Sequence, residues 1–294
     1  MDLIAIWRHE NYVRDLEWGA GFHFNSKQRR LHSEIEIGES LWLVTRIVVR
    51  GQNEYRLPAR LQGAAKTINA PEYPYGPFRI WGKVANSSYY EVRPEPRDDV
   101  FELIRLLPMH GFSLQDATRS DLFQRLQTIR GVKPEGARLL NSFAQQLPPE
   151  PRAKAVVDEQ RLERAFGEDE ARLAAVLQEH AGVSDSTKER LRSSFYRSRD
   201  LTARLNKLYG ARCQVTGFDS PLIYGVRTTE AHHVVYLSRG GADELTNLIL
   251  LSPNTHKVVH AADAKFDYRT LSFVFPNGRV EPLVLNKHIL PSAA

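Results

Sequence analysis

The chain reads as an α+β protein in three parts, and three observations point that way. Aromatic, β-type runs broken by Gly, Pro and Asn fill residues 1–147. Helical periodicity takes over across 148–185 and into 186–294. Within that last part a strand, loop, strand, helix order carries four of the ten histidines inside thirty residues, AHHVVYLSRGGADELTNLILLSPNTHKVVH (231–260).

The first part holds all four tryptophans, Trp7, Trp18, Trp42 and Trp81. SLWLVTRIVV, FRIWGKV and YYEV are rich in β-branched and aromatic residues and predict short strands between turn residues. DDVFELIRLL and SDLFQRLQTIR predict short helices behind them. QQLPPEPRAK, polar and proline-rich, marks a boundary at 146–154.

From 156 to 209 the apolar residues fall at spacings of three and four, the period of an amphipathic helix. RLERAFGEDEARLAAVLQEH and STKERLRSSFYRSRDLTARLNKLYG are the two helical stretches. Ser186 or Thr187 suits an N-cap of the second, and Gly210 suits its end. Between Ser186 and Arg212 stand eight basic residues, among them Arg197, Arg199, Arg204 and Lys207, against Glu189 and Asp200. This one segment therefore carries +6, more than the whole chain's +5. Such a strip attracts a polyanion, DNA or RNA; its alternative is a solvated helix face.

In the histidine-rich stretch, TEAHHVVYL predicts a strand. Strand alternation sends His232 and His233 to opposite faces. SRGGADE is a loop and LTNLILL a second, buried strand. Ser252 is a good N-cap, Pro253 fits the first helical position, and His256 and His260 at i and i+4 share one face of the helix that follows. The order brings one histidine of the pair opposite two helical ones. Three imidazoles converging from two elements have metal-site geometry. The other histidine of the pair faces a substrate beside the metal, where an imidazole titrating near neutrality can take a proton from water. Metal and base together suit phosphodiester hydrolysis.

Composition sets the remaining bounds. There is no run of about 18 apolar residues to cross a membrane. MDLIAIWRHENYVRD lacks the layout of a secretion signal. The single cysteine, Cys213, permits no internal disulfide. A cytoplasmic protein without a membrane partner is the expectation.

The stretch resembles the HNH endonuclease motif of the ββα-metal fold. His232-His233, Gly240-Gly241, Asp243, Asn247-Leu248 and His256 carry the likeness, and YGARCQVTG (209–217) is similar to the lead-in of HNH domains in bacterial restriction enzymes. It covers roughly residues 186 to 275. The resemblance implies that His232 is a metal ligand, where many relatives have Asp, and that His233 is the general base. It implies that Asn247 bonds across the loop and orients the base, and that His256 is the second ligand. His260 resembles the additional ligand of the colicin-type branch. Arg239 could touch the scissile phosphate; its alternative is a solvated loop position. Many HNH domains add two CxxC knuckles around a structural zinc. Here CQVT (213–216) and SPNT (252–255) put Thr or Ser at three of the four thiol positions, so no tetrathiolate zinc is expected. One divalent metal is expected, at the active site: imidazoles favour zinc, nickel or manganese, while many HNH enzymes work with magnesium. LSFVFPNGRVEPLVL predicts a hairpin turning at Asn277-Gly278, packed behind the ββα unit or serving as a DNA-groove ribbon.

A bare HNH motif touches mainly phosphate, so sequence choice must come from elsewhere. The layout of an aromatic β module, basic helices and HNH resembles modification-dependent restriction endonucleases, anti-phage defence enzymes. Their N-terminal readers are often PUA-like, of SRA or EVE type, and flip a modified base into an aromatic pocket. The expected partner is then double-stranded DNA carrying methylated or hydroxymethylated cytosine. The expected pocket walls are Trp18, Phe22, Trp42, Tyr73, Tyr75 and Trp81, with core packing as the alternative for each. Other readings are an HNH effector whose first domain senses a nucleotide or partner, a catalytically silent nucleic-acid-binding protein, and a toxin exported by a partner-dependent route. A double-strand break needs two sites or two visits, for which a homodimer is the natural arrangement.

Overall fold

In the computed structural model, residues 1–17, 21–154, 159–167, 169–179 and 185–293 are described. They form an α+β chain that divides into two compact units. One comprises Met1–Arg14, Phe22–Lys66 and Pro74–Ala153, the other Asp15–Gly21, Thr67–Tyr73 and Lys154–Ala294.

The first unit is built on β1 (Leu3–Ile6), α1 (His9–Glu17), β2 (His23–Ser26), α2 (Arg30–Ser33), β3 (Ser40–Val49), β4 (Gln52–Ile68), β5 (Phe78–Gly82), β6 (Ser88–Tyr89), α3 (Phe101–Arg105), α4 (Leu122–Arg125), β7 (Arg130–Gly131) and α5 (Pro134–Ala144). The strands form one mixed sheet in the order β2-β5-β4-β3-β1-β7, with β6 on β4. β1 runs parallel to β3, which requires a crossover, and α1, β2 and α2 lie in that connection. SLWLVTRIVV is β3 in full, and it pairs antiparallel with β4 from Ser40↔Gln62 to Val49↔Gln52, with a register shift between Leu43 and Thr45.

One sequence expectation is corrected here. The unit is less purely β than its aromatic runs suggest, because α1 and α5 bury side chains in it: Tyr12 from one, Leu140 and Ala144 from the other. HFNS forms β2, pairing with β5 from His23↔Trp81 to Ser26↔Phe78. The core gathers Ile4, Trp42, Val44, Tyr55, Leu57, Val100, Ile104 and Leu126. Burying each such side chain contributes about 1.5–3 kcal/mol against the chain entropy.

The second unit runs α6 (Glu159–Gly167), α7 (Glu170–Glu179), α8 (Asp185–Tyr209), α9 (Ser220–Tyr224), β8 (Glu230–His233), β9 (Leu248–Leu251), α10 (Pro253–Ala261), β10 (Lys265–Asp267), β11 (Ser272–Val274) and β12 (Val280–Pro282). Leu162, Phe166, Leu173 and Leu177 join Leu191 and Phe195 in one apolar cluster, so α6 and α7 pack on α8. β8 and β9 pair antiparallel from Glu230↔Leu251 to His233↔Leu248. β10, β11 and β12 make a three-stranded antiparallel sheet, turning at Asn277-Gly278 with Gly278 at φ +85°. Cys213, Ile249, Leu251, Val259, Phe266 and Phe273 form the core shared by this sheet, β9 and α10.

The α8 cap differs from expectation. The helix already includes Asp185, and the Thr187 hydroxyl donates to the Glu17 carbonyl at 2.5 Å. No helix among the described residues is long and apolar enough to cross a membrane.

Candidate metal centre

TEAHHVVYL stops being a strand at His233, earlier than its composition predicts. The reason is Asn247. Its Oδ1 accepts from the Val235 N–H at 2.8 Å, and its Nδ2 donates to the Val235 and Ala242 carbonyls at 2.8 Å each. The chain leaves the ladder, makes a 3-10 turn over Leu237–Arg239, and enters Gly240 at φ +82°. At Gly241 a Cβ would collide with the Val235 carbonyl oxygen, so only glycine fits beneath the clamp.

β8 and α10 then set the imidazoles. The Ser252 side chain accepts from the Thr255 N–H, and Pro253 takes the first turn, fixing the start of α10. One turn apart on that helix, His256 and His260 face His232 of β8. A carboxylate joins them from α6. His256 Nε2 lies 2.7 Å and His260 Nε2 2.8 Å from Glu163 Oε2, and the two imidazole nitrogens are 2.9 Å apart. His232 Nδ1 lies 3.2 Å from His260 Nε2 and 3.5 Å from Glu163 Oε2.

These four atoms are the corners of a small tetrahedron. A tetrahedral zinc with bonds of about 2.0–2.1 Å spaces its donors about 3.3–3.4 Å apart. The cluster has the right donors and nearly the right size for one divalent cation. Imidazole nitrogens facing each other this closely also need a shared cation or proton between their lone pairs. His232 Nε2 is buried without a hydrogen-bond partner, while Nδ1 is the ring nitrogen turned into the cluster. Glu163, His232, His256 and His260 therefore fit a metal ion.

The electrostatics follow from burial and neighbours. Burial pushes His232 down to about 4, leaving its imidazole neutral. Burial alone would also lower His256, but Glu163 and Glu230 outweigh it and raise the group to about 9. The Glu230 carboxylate meets His256 Nδ1, an outer partner that fixes the ring with Nε2 pointing inward. Burial opposes ionisation of Glu163, yet the surrounding imidazoles, His232 foremost, hold it well below the ordinary carboxylate range.

His233 turns to the other face, as strand alternation requires. Its backbone N–H donates to Glu163 Oε1 at 2.6 Å, and its Nδ1 lies 3.1 Å from the same oxygen. On the far side Nε2 is 3.4 Å from Asp243 Oδ1, which accepts from the Ser198 hydroxyl at 2.8 Å. Burial would lower His233; Asp243 and Glu163 overrule it and raise the group to about 9. A cavity of about 440 Å³ opens beside this face, lined by Glu163, Arg164, Arg199, Thr202, His233 and His256 among others.

The other expected residues are placed as follows. Arg197, Arg199, Arg204 and Lys207 are exposed along α8. Arg239 is partly buried, ion-paired to Asp263 at 3.1 Å and stacked on Tyr236. Phe22 and Trp42 are buried: Trp42 is fully enclosed, and Phe22 packs edge-on against Tyr89 at 4.8 Å. Tyr75 and Trp81 are half-buried in the first unit, each with an arginine over its ring, Arg14 and Arg79. Tyr73 belongs to the second unit, and Trp18 lies outside the described residues. In the knuckle-like turns, the fully buried Cys213 thiol receives hydrogen bonds from Thr216 and Ser252, and the Ser252 and Thr255 hydroxyls meet at 2.9 Å.

Sequence reading assigned no role to Glu159, Glu163, Glu230 or Asp243. One signal was available: Glu159 and Glu163, at i and i+4, share the face of α6 that buries Leu162 and Phe166. Acids on an apolar stripe need buried partners. Glu159 has them in the N–H groups of Leu237 and Ser238, at 2.6 and 3.0 Å.

Compared with known proteins, the chain matches no protein-family model and no curated sequence.

Proposed function

We propose that the chain is a metal-dependent endonuclease of HNH type, with a C-terminal ββα-metal domain that hydrolyses phosphodiester bonds in double-stranded DNA. The observation that carries this reading is the division of labour on β8. His232 joins His256 and His260 at the metal-donor cluster, while its neighbour His233 faces the adjoining cavity, which Glu163 and His256 of the cluster also line.

His232, His256 and His260 would hold one divalent ion, magnesium, manganese, zinc or nickel. When bound, that ion supplies a Lewis acid for the phosphate oxygens. With Glu163 against Nδ1 and Asp243 at Nε2, His233 holds its proton up to about 9. In its neutral form, with Nδ1 released by Glu163, it would accept the proton of the attacking water, and Asp243 would stabilise the imidazolium that forms. Asn247 holds the loop that aims His233. Arg197, Arg204 and Lys207, exposed on one side of α8, would meet the DNA backbone, and Arg199, exposed on another side, lines the cavity. Arg239 contributes to phosphate contact once it exchanges Asp263 for DNA.

The N-terminal unit is the reader, a PUA-like module in this proposal, with Tyr75 and Trp81 as its candidate base contacts and methylated or hydroxymethylated cytosine as its target. This makes the protein a defence restriction enzyme. The test is incubation with manganese or magnesium and two phage DNAs, one with plain and one with modified cytosine, beside His233→Ala. Cleavage of the modified DNA alone, lost in the variant, supports the whole reading. Equal cleavage of both removes the reader and leaves a nuclease triggered by a nucleotide or partner.

A further inference from the structure

Glu163 comes from outside the ββα unit, yet its two carboxylate oxygens divide that unit's site between them. Oε2 stands with the imidazole trio, 2.7–2.8 Å from two of its nitrogens. Oε1 takes the His233 N–H and sits against the His233 ring. A phosphodiester under hydrolysis needs the same interval. One non-bridging oxygen belongs at the cation and the attacking water belongs beside the base. A carboxylate and a phosphate group are both anions with paired oxygens, and only one can occupy the place.

Coordination chemistry sharpens the point. For a tetrahedral ion such as zinc, catalytic centres keep one position open, whereas four protein donors make a closed one; for a six-coordinate ion such as manganese, Glu163 still occupies the position nearest the base. With Glu163 present the donors are four and the base is engaged. The described arrangement is closed on both counts.

From this we propose that Glu163 is an autoinhibitory plug, a carboxylate carried on α6 that holds the scissile phosphate's place until α6 withdraws. The inference rests on the nuclease reading above. α6 is seated by more than this one contact. Glu159, one turn earlier, takes the N–H groups of Leu237 and Ser238, and Leu162 and Phe166 pack against α8. Plug and seat are thus one element, and a force that lifts α6 frees the phosphate site and His233 together. Arg164 and Arg199 line the cavity beside Glu163 and give an incoming anion a landing place next to the plug.

The experiment uses the full chain loaded with manganese, as wild type, Glu163→Gln and Glu163→Ala. Three quantities are measured: manganese stoichiometry and affinity, affinity for thymidine 5′-monophosphate by calorimetry, and nicking of a plasmid. The plug predicts one manganese per chain in all three proteins, with affinity within tenfold. It predicts nucleotide binding at least tenfold tighter in Glu163→Ala, and faster nicking. Manganese affinity reduced more than tenfold in both variants would instead make Glu163 a permanent ligand and overturn the plug. Unchanged nucleotide affinity overturns it too. If wild type nicks in a His233-dependent way and the variants nick less, the plug falls and the nuclease stands. If none of the proteins nicks DNA but the variants bind the nucleotide at least tenfold tighter, Glu163 still plugs an anion site and the nuclease reading falls.

Discussion

Asn247 grips the peptide of Val235 at both ends, accepting from its N–H and donating to its C=O, each at 2.8 Å. The same Nδ2 also reaches the Ala242 carbonyl. One side chain therefore ties together the two sides of the loop between β8 and β9, and it decides where β8 ends.

Replacing Asn247 with Ala should leave three backbone groups without their partner, two on the half-buried Val235 and one on the exposed Ala242. At about 1–3 kcal/mol for each unsatisfied group, partly recovered by water, a loss of about 2–4 kcal/mol is expected. Asn247→Asp restores the acceptor for Val235 N–H but turns an oxygen toward two carbonyls, so it should rescue little. Urea denaturation of the three proteins checks this; equal midpoints would remove the clamp from the account.

Glu230 touches His256 on the side away from the cluster. Glu230→Gln keeps the shape and weakens the hold on the ring. Outer partners of ligand histidines are worth about 10–100-fold in metal affinity, so that is the expected loss, with the fold retained. Calorimetric titration with manganese or zinc reads it directly.

Metal binding should release protons. His256, raised to about 9 by Glu163 and Glu230 against its burial, is protonated at neutral pH in the metal-free protein and must lose that proton to ligate. Near pH 7.5 about one proton should therefore leave per ion bound, and affinity should climb with pH until about 9 and then level off. Titrations in buffers of different ionisation enthalpy measure the number. The metal-free fold follows the same sign. A group whose pKa is raised on folding stabilises fully below its unfolded value near 6.5, and that stability is lost as pH rises through about 9. Denaturation midpoints without metal should fall across that window as His233 and His256 lose their protons.

Trp42 and Trp81 separate packing from reading. Trp42 is fully buried, so Trp42→Ala should cost about 3–5 kcal/mol of stability. Trp81 is half-buried beside His23, with Arg79 over its ring. Trp81→Ala should cost less stability and lower binding of oligonucleotides with modified cytosine. Unchanged binding, with the fold intact, removes Trp81 from the reader.

How legible was this in the sequence? Local signals carried far. Strand alternation separated His232 from His233, helical spacing joined His256 to His260, and Ser252-Pro253 marked the start of α10. β3 was readable from its β-branched run. Signals that depend on tertiary partners were not readable. Glu163 sits on a helix whose periodicity says only that one face is buried, not that the face meets imidazoles. β4 lacks a dense β-branched run because many of its positions carry polar or small residues, so its sequence does not announce a strand. Tryptophan content suggested a pocket where Trp42 serves the core, since an aromatic run does not say which rings face inward.

In the proposed reaction His233 takes the proton from water while its neighbour holds the metal. The most direct measurement compares wild type with His233→Ala, both shown to bind one manganese per chain, for cleavage of the same plasmid or modified phage DNA. A general base contributes about 10²–10⁴-fold, so the variant should cleave at least a hundredfold more slowly at unchanged metal occupancy. Cleavage at the wild-type rate by a metal-loaded His233→Ala protein would contradict the account.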